Sequence, residues 1–434
     1  MKTASGVPQF QAENDSAAHE TTGAGLKAKR LKSLPALCLA TVCALATIVC
    51  LAVPMYVIRP FRAQDPRALS VALTVRDLGP WISAVCALVA LAVLIRAWRR
   101  KAGLFARIGL ILLTSIAIAG ACLTHVNIFE IMFHPYPSPQ FGDAASAHVD
   151  GTDKVVAVTI GGVSRAYPIL TLGYHHIVND DIGDTAFAVT YCTLCHTGLV
   201  WNRMLDGRML RFRLAGINNG NALMRDEETS SIWQQSTGQC IYGPLKGRQL
   251  SLIHSDEVTF ALWRKEQPLG VVLQPEAKYV SKYDDKDWEK EVEKTRTVVD
   301  TRQSGISPHE LMLGMTVDGH SKAYPVKTVM TAKLIEDRIA DTSILIVVGP
   351  DGASIRAFRA SLSAEPMTFL LAQSDAQPGK DGILRDAETG SLWNFQGCAV
   401  DGKLAGRCLE PLDTYKDYWF DWMNHHPASL VFKG

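Results

Sequence analysis

The chain has 434 residues, which is room for a membrane region plus one or two domains with cores of their own. Lys+Arg and Asp+Glu nearly cancel, 44 against 43, so bulk charge gives no sign of a nucleic-acid partner or of an acidic one. An apolar share of 47% would suit a soluble enzyme, so composition alone hides the membrane, which only the running pattern reveals.

Residues 1–33 are polar, lack apolar periodicity and end in Lys27, Lys29, Arg30 and Lys32. That pattern predicts a disordered cytoplasmic tail. From Leu34 to Ile58 no charge interrupts 25 residues, enough to cross a bilayer. Uncharged runs also fill Leu78–Ile95 and Ile108–Thr124; at 18 and 17 residues they lie near the lower limit for spanning. A three-helix membrane region over 34–124 is therefore expected, with the lipid bilayer as its partner.

Orientation is read from the basic flanks. The tail is basic, and so is the second loop, through Arg96, Arg99, Arg100, Lys101 and Arg107, which favours a cytoplasmic side for both. Arg59, Arg62, Arg67 and Arg76 in and beside the first loop weaken this bias without reversing it. The first apolar run is too long and starts too late for a cleaved signal peptide. The expected address is the inner (cytoplasmic) membrane, with the N-terminus cytoplasmic and the C-terminal domain periplasmic or extracellular. Cys38, Cys43, Cys50, Cys86 and Cys122 then read as small apolar filler in or beside the spans. The other five cysteines face an oxidising compartment, where disulfides persist.

Beyond the spans, short runs alternate apolar and polar residues between Gly-Gly, Asp-Gly and Gly-Pro breaks, as in Val156–Ile160, Phe187–Tyr191, Leu199–Trp201 and Leu210–Leu214. Helical patterns are few: Ile169–Val178, and Asp256–Glu266 with Ser255 as N-cap. The chain also repeats itself. Val156–Pro168 matches Leu313–Pro325, Leu223–Trp233 matches Ile383–Trp393, and Gly243–Leu250 matches Gly402–Leu409. Trp263 followed by Pro268 answers Trp422 followed by Pro427. The pattern predicts an α+β, β-rich, internally duplicated and pseudo-symmetric extracytoplasmic domain after three transmembrane helices. A first repeat is expected over 137–276 and a second over 305–434. The charged stretch 277–304 reads as an exposed helix or linker. Arg225 and Asp226 with Trp233 recur as Arg385 and Asp386 with Trp393, which suggests a buried ion pair beside an indole.

The repeats differ at their cysteines. Val189–Gly198 carries Cys192, Cys195 and His196, whereas the matching Val348–Gly352 has neither thiol nor imidazole, and His175-His176 faces Ala332-Lys333. If folding required these groups, the second repeat would have kept them. A site in the first repeat, with the second as scaffold, is the simplest account.

A Cys-x-x-Cys pair closes a redox disulfide, holds a soft metal or, with His directly after it, takes haem covalently. The dithiol reading makes Cys192 and Cys195 the reacting pair, with His196 supplying positive charge and Cys192 attacking first. A metal reading recruits Cys192, Cys195, His175 and His196 for copper or zinc. The haem c reading makes His196 the axial ligand, but strand-like runs flank the motif and no helix pattern follows it. The leading expectation is thiol–disulfide or electron-transfer chemistry with a redox partner protein. A metal-delivery partner goes with the second reading, and a structural assembly subunit is a further alternative. Cys398 and Cys408 flank a Gly-rich turn and suggest a structural disulfide, leaving Cys240 as a fifth thiol. Turn chemistry accounts for Asn218, Asn219 and Asn221, and interfacial solvation for His125, Glu130 and His134.

The chain resembles the DUF3179 family, a prokaryotic domain of unknown function, over most of 137–434. The resemblance rests on Arg165–Pro168, His175 with Ile177–Asp180, Val189–Cys195, Asp226 with Thr229, Ser231–Trp233, and Lys322–Pro325. Thr193, His196 and His176 stand where the family usually has Pro, a small residue and an acidic residue. Because relatives manage without His at 196, the resemblance implies a site at the thiols and argues against haem. It implies no particular activity.

Overall fold

The computed structural model describes residues 15–145, 147–283, 287–372 and 382–434, with side chains from Ser33 onward. These residues form two compact units. One holds three long apolar helices; the other holds residues 127–434 together with the short loop 59–64.

Helix α1 (Asp15–Val57), α2 (Pro66–Arg99) and α3 (Leu104–Leu123) are long and apolar enough to cross a membrane. Helix α1 begins well before the uncharged run, so the second half of the expected disordered tail has helical backbone. Ala, Leu, Lys and Arg dominate positions 24–32 and favour that state. Residues 1–14 lie outside the described residues. Helix α2 starts twelve residues ahead of Leu78 because Asp65 caps it, accepting from Arg67 N at 2.8 Å and Ala68 N at 3.1 Å, with Pro66 at the first helical position. Small residues let the three helices approach. A side-chain carbon on Gly79 would meet Cys50 at 3.3 Å, and one on Gly120 would meet Thr47 at 3.0 Å.

The second unit is β-rich. Strands β1 (Lys154–Ile160) and β2 (Val163–Pro168) form a hairpin, and helix α4 (Ile169–His175) follows directly. Next come β3 (Ile177–Ile182), β4 (Thr185–Cys192) and β5 (Thr197–Asn202), an antiparallel three-stranded sheet. Strands β6 (Phe212–Asn218), β7 (Asn221–Asp226), β8 (Ile232–Gln234) and β9 (Cys240–Tyr242) make a four-stranded sheet. Strand β10 (Asp256–Thr259) returns to pair with β1. The expected helix over Asp256–Glu266 therefore splits: its first turn is this strand, and the helix begins at Phe260 with Thr259, not Ser255, as N-cap.

The same succession of elements runs through the second half: strands Leu311–Val317 and His320–Pro325, helix Val326–Ala332, and three antiparallel strands over 334–359. A four-stranded sheet over 369–401 follows, then β11 (Thr414–Tyr418) and helix α6 (Trp419–His425). Between the halves lies helix α5 (Trp288–Glu293). One apolar core draws on both halves, with Val155, Trp263, Phe358 and Trp393 in a single cluster. Arg356 is clamped by Asp256 and Glu266 across the same boundary.

The repeated acid and indole do not form the expected ion pair with the preceding arginine. Trp233 Nε1 donates to Asp226 at 2.8 Å and Trp393 Nε1 to Asp386 at 2.8 Å. The amides of Thr229 and Thr389 complete the two acceptor sets. Neighbours on a strand point to opposite faces, so the residue before each acid is turned away from the indole. Cys398 and Cys408 are disulfide-bonded, as the turn between them suggested.

Candidate functional site

Strand register positions the thiols. Cys192 ends β4 opposite Thr197 at the start of β5, so Thr193–His196 must close a four-residue hairpin tip. His196 takes a left-handed backbone, φ 63°, to complete it. Cys195 thereby folds back beside Cys192, and their sulfurs face each other at 2.7 Å. Closing to a disulfide, about 2.05 Å, needs only a small further movement. Both side chains are buried, Cys192 at 3% exposure and Cys195 at 0%.

The next shell is polar. The Gly220 carbonyl lies 3.3 Å from Cys195 Sγ and 3.7 Å from Cys192 Sγ. Only glycine suits position 220: its φ is 101°, and a side-chain carbon there would meet the Phe420 ring at 2.7 Å. Asn221, fully buried, donates from one amide nitrogen toward Cys195 Sγ at 3.2 Å, Gln235 Oε1 at 3.1 Å and Asp421 Oδ2 at 2.8 Å. Its oxygen accepts from Gln234 Nε2 and Ser236 N. Thr197 Oγ1 donates to Asp417 at 2.8 Å, and the Cys195 carbonyl accepts from Tyr418 N. The hairpin tip of the first half is thus held by β11 and α6 of the second.

Electrostatics follow from burial. The Cys195 thiol is pushed well up by desolvation, then by its contact with Cys192 and the charge of Asp421. Asp417 is likewise pushed well above the carboxylate range by burial and by Asp421. Its Oδ atoms and those of Asp421 are sequestered, at 1% and 0% residue exposure.

The histidines named from the sequence do not join the thiols. His175 uses Nδ1 on the His134 carbonyl and Nε2 on Tyr283 OH at 2.6 Å, within a cage of Tyr136, Tyr174 and Tyr279. Burial lowers its pKa. His176 caps α4 with φ 60° and meets the Tyr191 carbonyl at 2.7 Å; burial lowers its pKa to about 4. His196 turns to the Tyr191 face of β4, opposite the Cys192 face, and meets Tyr191 OH at 3.2 Å and Glu289 at 2.9 Å. The proposed copper or zinc set of Cys192, Cys195, His175 and His196 is therefore not assembled. Among the described residues no three His, Cys, Asp or Glu side chains group as metal ligands. The same two contacts occupy both nitrogens of His196, the axial ligand of the haem reading. Cys240 stays apart too: its thiol donates to the Tyr242 carbonyl, and burial raises its pKa to about 11.

These geometries belong to a domain that is recognisable as a whole. Residues 136–429 match the family described as Protein of unknown function (DUF3179). The chain belongs to the DUF3179 family. No curated protein and no solved structure matches it.

Three parts of this candidate site carry no clear mark in the sequence. Turn chemistry is enough to explain an asparagine at 221, yet its amide joins thiol to carboxylate. Asp417 and Asp421 were not singled out, although two acids buried in the aromatic run Tyr415–Trp422 are an unusual pattern. The charged stretch, expected as an exposed helix or linker, does contain helix α5, but that helix packs Trp288 against His196 at 5.4 Å and buries Val292 with Tyr418 and Phe420. Beside the hairpin tip lies a shallow, partly open cleft bounded by Leu194, Gly220, Arg296, His309, Phe420 and the loop residue Phe61.

Proposed function

We propose that this protein is a membrane-anchored thiol–disulfide redox protein in which Cys192 and Cys195 form the reacting pair. The observation that carries the reading is the 2.7 Å approach of two buried sulfurs within a polar shell, while each nearby imidazole is committed to other partners. Cys192, the less buried thiol and the one ending a strand, is the attacking sulfur; Cys195 resolves. The cleft beside Leu194 is the approach for the partner's sulfur. The second half acts as a scaffold descended from the same ancestral unit, a reading supported by the matching hydrogen bonds around Asp226 and Asp386. The basic flanks of the spans and the Cys398–Cys408 disulfide both support an extracytoplasmic domain.

The test is a redox titration of the full chain in detergent, with free thiols counted and located by mass spectrometry, alongside metal analysis and an absorption spectrum. Two thiols should appear at Cys192 and Cys195 at a potential above about −300 mV, the upper range of structural disulfides. A bond as resistant as Cys398–Cys408, stoichiometric metal protecting both thiols, or a Soret band would each overturn the reading.

A further inference from the structure

A carboxylate buried without full pairing is costly, and an apolar side chain would pack more cheaply. Matching Trp422 to Trp263 sets Asp417 and Asp421 opposite Val258 and Leu262, which serve the first half as plain core. The acids therefore occur only beside the thiols, and the thiols only in the half that receives the acids. Asp421 Oδ1 is buried and has no hydrogen-bond partner among the described residues; His425 Nε2 lies 3.4 Å from it. Asp421 Oδ2 shares the Asn221 amide nitrogen with Cys195 Sγ, at 2.8 and 3.2 Å.

We propose that Asp421 takes up the proton Cys195 releases when the pair closes, so that the site joins thiols of one half to a carboxylate of the other. This rests on the dithiol reading. Asn221 has two N–H groups and three acceptors around it, so its partners compete. Once the proton moves from sulfur to Asp421, the carboxyl becomes the weaker acceptor and the thiolate the stronger one. The amide then turns its hydrogen to sulfur and stabilises the nucleophile. Without such a base, burial would keep the Cys195 thiol protonated at neutral pH.

The exchange balances as follows. Cys192 thiolate attacks one sulfur of a partner disulfide; that S–S bond breaks, and the first partner thiolate leaves and takes up a proton. Cys195 passes its proton to Asp421, and its thiolate attacks Cys192 Sγ. The Cys192–Cys195 bond forms, the bond to the partner breaks, and the second partner thiolate takes up a proton from water, so Asp421 keeps its proton in the oxidised protein. Two cysteines lose two electrons and one disulfide gains them. The reverse direction starts from protonated Asp421 and oxidises a partner dithiol.

The experiment uses the full chain in detergent, reduced and then mixed with oxidised glutathione under rapid acid quench. Wild type should pass through a short-lived glutathione adduct on Cys192. In Asp421→Asn the adduct should accumulate and closure slow about 100-fold at pH 7, with the gap narrowing as pH rises. Equal closure rates in the two proteins would overturn the inference while leaving the dithiol reading intact. If wild type forms no Cys192–Cys195 bond at all, the dithiol reading itself fails. A second readout needs no variant: the reduced-minus-oxidised infrared spectrum of wild type should show a buried carboxylic acid changing protonation. Its absence would also overturn the proposal, even if Asp421→Asn did not fold.

Discussion

Cys192 and Cys195 differ little in sequence context but much in surroundings. Beyond their mutual contact, Cys195 meets the Asn221 amide and the Gly220 carbonyl, while Cys192 makes the longer contact with that carbonyl. Cys195→Ser should keep an acceptor for Asn221 and leave Cys192 alkylated by a maleimide about tenfold faster than Cys195 is in Cys192→Ser. Equal rates would remove the assigned order of attack. His176 carries a pH prediction. Its folded pKa is near 4 against an unfolded value of 6.5, so the fold holds the neutral form. Its contribution is complete above pH 6.5 and is lost as pH falls toward 4. Between pH 8 and pH 5 this loss is about 2 kcal/mol. His426 shifts the same way and His254, beside Asp413, the opposite way, so a difference between proteins isolates the residue. Urea unfolding of His176→Asn should show a shallower fall in stability across pH 8 to 5 than wild type. At this scale the thiols were legible from spacing alone. Asp417 and Asp421 were not, because nothing local announces that residues about 220 positions away in sequence will close over a hairpin.

Elements were more legible than contacts. Alternation marked β4 and β5, and their register turned a Cys-x-x-Cys spacing into a hairpin tip instead of a helix start. The first turn of the expected helix at Asp256 is a strand instead, because Asp256–Thr259 pair with β1 and Thr259, the last of the four, then caps the helix. Helix α5 shows why charge alone misleads. Lys290, Glu291 and Lys294 belong to its solvated side, but Trp288 and Val292, one turn apart, form an apolar stripe that the sequence did offer. Trp288 lies over both His196 and Tyr191. Trp288→Ala should therefore loosen the cover on the hairpin tip and raise the alkylation rate of Cys192 severalfold, with the total thiol count under denaturant unchanged. An unchanged rate would reduce α5 to a linker in function as well as in charge.

At the scale of the whole molecule, the halves are neither independent nor equivalent. They share a core through Trp263 and Trp393, and Lys416 reaches Glu257 at 2.6 Å across their boundary. The proposed redox pair, set against that boundary, needs a compartment where its disulfide states can turn over, so membrane orientation bears on the proposal. Three helices are long and apolar enough to cross a membrane; three crossings, an odd number, would put the N-terminus and residues 127–434 on opposite sides. Basic residues beside the tail and the second loop favour retention of both in the cytoplasm. Cys398 and Cys408 provide an internal reporter, because a disulfide formed at synthesis persists outside the cytoplasm and is kept reduced within it. Intact cells treated with a membrane-impermeant maleimide should leave this pair unlabelled, then label it after an impermeant reductant. Alkaline phosphatase fused after Gly434 should be active. Labelling only after lysis, with an inactive fusion, would reverse the topology and remove the oxidising environment on which the dithiol reading depends.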